Sequence, residues 1–285
     1  MRREAIVAGM FYPAEPERCR SEVARLLHDA GADLPGSGFR AGLVPHAGWA
    51  YSGRTAARTF AALAAGGSPD SVVLFGAVHA WGVARPSIYR RGSWETPLGD
   101  VDVDEGLADA VLKQTGNQMA DDPRAHAEEH SLEVQLPFIK YLFPEAGIVP
   151  IAVPPTEHSA LLGERVAQGV QASGKVVYVV GSTDLTHYGP RYGHAPAGVG
   201  PGALLWAREN DRRLLDRILA LQVEEVVTLA RREHSACGAG AIAATAAAAR
   251  QLGARRGVLL EYTTSYDVHP AGAPAEFVGY AAVVF

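Results

Sequence analysis

The chain has 285 residues, of which 48% are hydrophobic and 20% are charged, and its formal net charge is −5 at pH 7. This composition is typical of a globular protein with a large buried core. The mild charge and the scattered basic residues argue against a nucleic-acid partner. The sequence has neither an uncharged apolar run of about 18 residues nor the apolar stretch of a signal peptide, so we expect no membrane association and a cytoplasmic location.

Strand-like and helix-like segments alternate along the chain. Apolar runs rich in β-branched residues predict strands covered on both faces, at residues 41–44, 71–75, 147–153, 175–180, 257–263 and 277–285. Helical patterns lie at 17–29, 53–65, 105–115, 129–143, 160–172, 203–219, 223–231 and 238–252. The alternation predicts a single three-layer α/β domain over residues 1–285, with a central mixed or mostly parallel sheet.

Polar side chains follow three of the predicted strands. His46 lies in GLVPHAGWAYSG, His79 in SVVLFGAVHAWG, and Asp184 and His187 in KVVYVVGSTDLTHYG. Loops after parallel strands gather at the carboxyl edge of a sheet, so these side chains are predicted to form one cluster. Two histidines that meet there can bind one metal ion. The alternative for each histidine is a structural role in which loop carbonyls satisfy the ring.

The spacing of Asp184 and His187 suggests a second role. On a helical turn, residues three apart share a face, so the carboxylate could orient the imidazole for general acid/base chemistry. Alternatively, Asp184 caps the turn.

The chain has two cysteines, Cys19 and Cys237. Cys237 precedes an alanine-rich helical run in HSACGAGAI, which predicts a thiolate near a helix N-terminus, where it could meet a metal ion or an electrophile. Cys19 lies in a helical pattern without neighbouring ligand types and is interpreted as structural. Cysteines this far apart in a chain without a secretion signal predict free thiols.

The segment HAEEHSLEVQLPFIKYLFP contains His126 and His130 four residues apart, as in the zinc-protease motif HExxH. Ala127 stands where that motif has its glutamate, which argues against a metalloprotease. Glu129 and His130 either reach the cluster or form a solvated first turn. The chain also lacks the sequence patterns of the common nucleotide-binding loops and of the serine-hydrolase elbow.

Seven segments, in this order, resemble the Memo family of MEMO1-like proteins. They are AIVAGMFYPAEP, VPHAGWAYSG, the strand-end His79, EEHSLEVQLPFIKYLFP, STDLTHYG, HSACGAGAI and FVGYAAVVF. The resemblance covers essentially the whole chain and implies an α/β fold similar to that of class III extradiol ring-cleaving dioxygenases.

The resemblance also implies roles for individual residues. His46, His79 and Cys237 fall at the metal-ligand positions, and His187 is similar in place to the catalytic histidine of the dioxygenases, with Asp184 beside it. Those enzymes use two histidines and a carboxylate, whereas Cys237 would here supply a soft, oxidisable thiolate.

The same resemblance places Tyr51, Glu129 and His130 around the pocket, and we expect a substrate to enter past Trp49, Tyr51 and Trp81. The first hypothesis is a metal-dependent oxidoreductase that acts on a small molecule, with iron as the expected metal and copper or zinc as alternatives. The second is a module that captures a peptide or a protein, and the third is a zinc-dependent hydrolase. The sequence leaves the oligomeric state open.

Overall fold

The computed structural model of the protein describes residues 1–31, 34 and 36–285. The strands, in chain order, are β1 (Arg2–Arg3), β2 (Ala41–Val44), β3 (Ser71–Gly76), β4 (Ser87–Ile88), β5 (Ser93–Trp94), β6 (Val101–Asp102), β7 (Ala120–Asp121), β8 (Gly147–Ala152), β9 (Val177–Ser182), β10 (His187–Tyr188), β11 (Val258–Thr264) and β12 (Phe277–Val284). The helices are α1 (Pro16–Ala30), α2 (Trp49–Ala64), α3 (Glu105–Thr115), α4 (His130–Glu133), α5 (Leu136–Leu142), α6 (Ser159–Ser173), α7 (Pro201–Leu219), α8 (Val223–Glu233), α9 (Ala239–Gln251) and α10 (Ser265–Val268).

The central sheet is mixed, with the order β10-β12-β2-β9-β3-β8-β4-β7, and β11 pairs with β12. Strands β2, β9, β3 and β8 are parallel to one another, whereas β12 runs antiparallel to β2. Strands β1, β5 and β6 form a separate small sheet. The predicted mixed α/β fold is therefore confirmed.

Apolar side chains cover both faces of the central sheet. Val73 and Val179 belong to the core cluster that contains α6 and α9 residues, while the next residues along the same strands, Leu74 and Val180, belong to the cluster that contains α1 and α2 residues. Because successive side chains of a strand point to opposite faces, helices lie on both sides of the sheet. This is the predicted three-layer arrangement.

Two predicted helices differ from the observed ones. The helix predicted at 53–65 begins at Trp49, before Gly53, whose missing side chain admits Leu26 of α1: a Cβ there would lie 2.9 Å from Leu26 Cδ1. The helix predicted at 129–143 is broken into α4 and α5. Pro137 lacks the N–H that would continue the α-helical hydrogen bonds across this point.

Strand β11 lies beyond β12, and the ladder between the two shifts register between Leu259 and Glu261. The carboxylate of Glu261 accepts hydrogen bonds from Arg54 and Thr55 of α2. No helix within the described residues is both long enough and apolar enough to cross a membrane.

Candidate functional site

The loops that follow β2, β3 and β9 meet at the carboxyl edge of the sheet. His46 lies two residues after β2, His79 lies three residues after β3, and Asp184 lies two residues after β9. These strands are neighbours in the order β2-β9-β3, so their loops lie side by side. The structure thus brings the predicted strand-end residues together.

The imidazoles of His46, His79 and His130 form a compact group. One potential ligand atom from each ring lies within 4.8 Å of the other two. The ring of His130 stacks on that of His79 with 4.6 Å between centroids, and His46 meets both rings edge-on. His130, which the resemblance placed in the pocket wall, therefore stands among the candidate metal ligands.

Cys237 lies against one member of this group, His46, and is not among the residues whose ligand atoms all lie within 4.8 Å of one another. Its Sγ lies 3.2 Å from Nε2 of His46 and accepts a hydrogen bond of 3.3 Å from the backbone N–H of Asp184. Gly238 lets this segment pack against the end of β9, because a Cβ at that position would lie 2.6 Å from the carbonyl oxygen of Ser182. Burial raises the pKa of the Cys237 thiol.

Glu129 holds His79 in place. Its buried carboxylate accepts hydrogen bonds from Nδ1 of His79 at 2.9 Å and from the backbone N–H of His79 at 2.7 Å. Burial alone would raise the pKa of Glu129, but the hydrogen bond and the charge of His79 outweigh it and lower the pKa to about 2. Since Nδ1 of His79 is the donor, Nε2 is the nitrogen that could bind a metal ion. Glu129 therefore orients His79, whereas the resemblance implied a place in the pocket wall.

His46 is held by β9 and by the loop that follows it. Its Nδ1 lies 2.9 Å from Oγ of Ser182, and its backbone N–H donates to Oδ1 of Asp184 at 2.8 Å. Burial, followed by the nearby rings of His79 and His130, lowers the pKa of His46 well below its usual value. His46 is therefore neutral, which is the state that binds a metal ion.

The prediction that the carboxylate of Asp184 orients the ring of His187 is wrong. The two residues do not share a helical turn, because His187 begins β10. Nδ1 of His187 lies 3.0 Å from the carbonyl oxygen of Leu185, so that carbonyl orients the ring. The carboxylate of Asp184 instead lies beside His46, with Oδ2 4.0 Å from Nε2. Burial raises the pKa of Asp184.

A cavity of about 710 Å³ opens in front of these residues. We call it the histidine cavity; its lining includes His46, His79, His130, His187 and Asp184. Aromatic side chains make up much of the remaining wall: Phe11, Tyr51, Tyr192, Tyr266, Phe277 and Tyr280. The cavity can therefore accept a ligand with a flat apolar part next to the histidines.

The three predicted entrance residues have different positions. Tyr51 lines the histidine cavity, is 46% exposed and meets the ring of His269 edge-on. Trp49 is buried between Tyr12 and Phe138 because its ring faces the apolar side of α2, so its assignment to the entrance is wrong. The side chain of Trp81 is fully exposed to solvent.

The sequence analysis does not identify two residues of the site. His269 lines the cavity, and the hydroxyl of Ser182 contacts His46. The position of Ser182 as the last residue of a strand that leads to Asp184 was a usable signal. By contrast, His126 is buried away from the cavity against Tyr89 and Trp94, which confirms that the spaced pair with His130 is not a metalloprotease motif.

The chain matches a known protein family over nearly its whole length. The model of the family described as Memo-like protein matches residues 3–284. The MEMO1 family protein of Methanopyrus kandleri is 38% identical over 296 residues, which cover 100% of this chain and 99% of that protein. The MEMO1 family protein of Methanosarcina acetivorans is 38% identical over 286 residues, with 99% and 98% coverage.

Among solved structures, an uncharacterized protein from Escherichia coli K12 has a similar fold. Its TM-score is 0.52 and its sequence identity is 11%, and the match covers 87% of this chain and 100% of that chain. This likeness concerns the fold alone. The family model and the full-length relatives together show that the chain belongs to the Memo-like protein family.

Proposed function

We propose that this protein is a cytoplasmic metal-dependent oxidoreductase of the dioxygenase-like type, which acts on a small molecule in the histidine cavity. The proposed ligands are His46, His79 and Cys237, with His130 beside them as a further donor. Non-haem iron is the expected metal. Both Cys19 and Cys237 are free thiols, which suits the reducing environment of the cytoplasm.

The observation that carries the proposal is the cluster of three histidine nitrogens, with the sulfur of Cys237 beside one of them. A histidine nitrogen and a cysteine sulfur bound to one ion lie about 3.1–3.6 Å apart, given metal–ligand distances of about 2.0–2.3 Å and angles between a right angle and the tetrahedral value. Nε2 of His46 and Sγ of Cys237 are 3.2 Å apart. The spacing of His46 and Cys237 thus fits two ligands of one metal ion.

Imidazole and thiolate ligands suit iron, copper and zinc. A bound iron would supply Lewis acidity and one-electron redox chemistry beside the substrate. The aromatic wall, including Tyr192 and Tyr280, would hold the flat part of the substrate and exclude water from its neighbourhood.

His187 is the proposed proton acceptor. Its Nδ1–H donates to the carbonyl oxygen of Leu185, so the neutral ring has an unprotonated Nε2. His187 lines the histidine cavity, where Nε2 can take a proton from a substrate hydroxyl. Asp184 contributes differently, by fixing the backbone of His46.

Elemental analysis of protein purified without oxygen tests this proposal. We expect about one equivalent of iron in the wild type and its loss in Cys237→Ala and His79→Ala, because each variant removes a ligand. Cys19→Ala is the matched control, since Cys19 is buried in the apolar cluster of α1 and α2, and it should retain the metal. Full metal content in both ligand variants would refute the site.

Two outcomes would favour other functions. Three histidines are also a known ligand set for catalytic zinc, so zinc in place of iron, without oxygen consumption, would favour a zinc-dependent hydrolase. A wild-type protein that binds no metal after reconstitution would favour a peptide-binding module that uses the exposed rim around Tyr51.

A further inference from the structure

The hydroxyl of Ser182 contacts the ring of His46 and two other buried polar groups. Oγ lies 2.9 Å from Nδ1 of His46, 2.8 Å from the carbonyl oxygen of Ser131 and 3.2 Å from Nε2 of Gln135. Ser131 and Gln135 have no part in the site as described above. Ser182, Ser131 and Gln135 are fully buried, so these hydrogen bonds have no competition from bulk water.

The amide orientation of Gln135 follows from its neighbours. Nε2 lies 2.9 Å from the carbonyl oxygen of Pro45 and 3.4 Å from that of Ser131. Carbonyl oxygens accept hydrogen bonds and cannot donate them, so the NH₂ group must face them. Gln135 is therefore a donor to the hydroxyl oxygen of Ser182.

The positions of the hydrogen atoms also determine whether Ser182 donates or accepts in each contact. A hydroxyl has one hydrogen, and the carbonyl oxygen of Ser131 accepts it. Toward both Gln135 and His46, the serine oxygen is then an acceptor. Nδ1 of His46 must carry the hydrogen in this contact, which leaves Nε2 unprotonated.

The contact on the other side of the ring is consistent with this assignment. Sγ of Cys237 lies 3.2 Å from Nε2 of His46. A thiol hydrogen can be donated to that nitrogen only when the nitrogen carries no hydrogen of its own.

We propose that Ser182 and Gln135 are positioning residues that hold His46 in the Nδ1-protonated tautomer. The inference rests on the proposed function, because His46 is one of the proposed metal ligands and Nε2 is the nitrogen it would offer. The two histidine ligands are thus held by different means: a carboxylate orients His79, whereas an uncharged serine–glutamine pair orients His46.

The tautomer can be measured by ¹⁵N NMR of the imidazoles in the metal-free protein. Wild-type His46 should show a protonated Nδ1. In Ser182→Ala the acceptor is lost, and the tautomer ratio should shift toward protonated Nε2 by about 3- to 10-fold, as expected for one net hydrogen bond. Ser182→Thr retains a hydroxyl and should restore the wild-type ratio.

Thr245→Val is the matched control. It removes a fully buried hydroxyl that makes no hydrogen bond among the described residues and that faces Gly181, the neighbour of Ser182 in β9. Its His46 spectrum should match that of the wild type. If Ser182→Ala does not fold, Gln135→Leu provides a second variant, with a smaller shift in the same direction because the hydroxyl remains.

Cobalt(II) titration gives an independent measurement. Loss of a group that orients a ligand weakens metal binding by about 10- to 100-fold, and we expect this for Ser182→Ala but not for Thr245→Val. An unchanged tautomer ratio in Ser182→Ala would overturn the inference, even with weaker cobalt binding. A shifted ratio in a protein whose wild type binds no metal would support the positioning role and refute the proposed function.

Discussion

Two buried carboxylates, Glu129 and Glu133, lie four residues apart at the two ends of α4. Their hydrogen-bond partners differ in kind. Glu133 accepts hydrogen bonds from Arg3 at 2.6 Å, from Tyr12 at 2.8 Å and from two backbone N–H groups of the N-terminal segment. Glu129 accepts from His79, whose other nitrogen is free for a ligand. Burial of charge alone therefore does not separate Glu133 from Glu129. The two differ in whether the hydrogen-bond partner has another atom that could bind a ligand.

Glu133→Gln should give the largest effect on stability. The substitution leaves the buried guanidinium of Arg3 without its counter-charge, which costs about 3–5 kcal/mol in the free energy of unfolding. Urea denaturation measures this loss. Asp100→Asn is the control, because Asp100 pairs with Arg2 at the surface and its loss should cost far less. Equal effects of the two substitutions would show that the buried Arg3–Glu133 pair contributes no more to stability than the surface Arg2–Asp100 pair does.

Asp211 is a third buried carboxyl and is expected to make stability depend on pH. It accepts hydrogen bonds from Thr186 and Tyr262, but burial raises its pKa from 3.8 to about 6. Because the folded protein holds this proton more tightly than the unfolded chain does, the contribution of Asp211 is most favourable below about pH 4. It declines as the pH rises to about 6, by about 3 kcal/mol in total.

Asp211→Asn removes this titration. Relative to the wild type, the unfolding free energy of the variant should therefore rise by about 3 kcal/mol between pH 4 and pH 7. Urea denaturation at a series of pH values tests this expectation. Parallel pH profiles for the two proteins would show that the proton on Asp211 is not coupled to folding.

Glu129→Gln should have a smaller effect in free energy. We expect this effect on metal binding. The glutamine cannot provide a charged acceptor for Nδ1 of His79, so cobalt(II) affinity should fall by about 10- to 100-fold. Glu128→Gln is the control, because the neighbouring Glu128 is exposed, and its affinity should equal that of the wild type. Unchanged affinity in Glu129→Gln would place Glu129 in the structural class with Glu133.

The sequence predicted the main elements of the fold because their signals are local. Continuous apolar runs give the long strands, and capping and periodicity give most helix limits, such as α3, whose N-cap Asp104 accepts a hydrogen bond from the backbone of Leu107. The two-residue strands, such as β4 and β10, carry no periodic pattern because they form only through pairing with distant segments. Their existence depends on the tertiary structure.

The sequence predicts which loops meet at the candidate site, but it does not predict which side chains contact one another there. Strand-end position indicated His46 and His79, since parallel strands bring their following loops together. The hydrogen-bond partner of His187 could not be predicted, because spacing along the chain does not reveal that residues 183–186 are not helical. The burial of Trp49 likewise depends on where α2 begins.

The edge formed by β11 has a consequence for the protein at high concentration. An unpaired strand edge is a template for intermolecular pairing and aggregation. The irregularity between Leu259 and Glu261 interrupts a regular ladder, and the charged pair of Glu261 with Arg54 makes it costly for an apolar strand from another molecule to dock alongside. Both features are of the kind that disfavours pairing between the strand edges of neighbouring molecules.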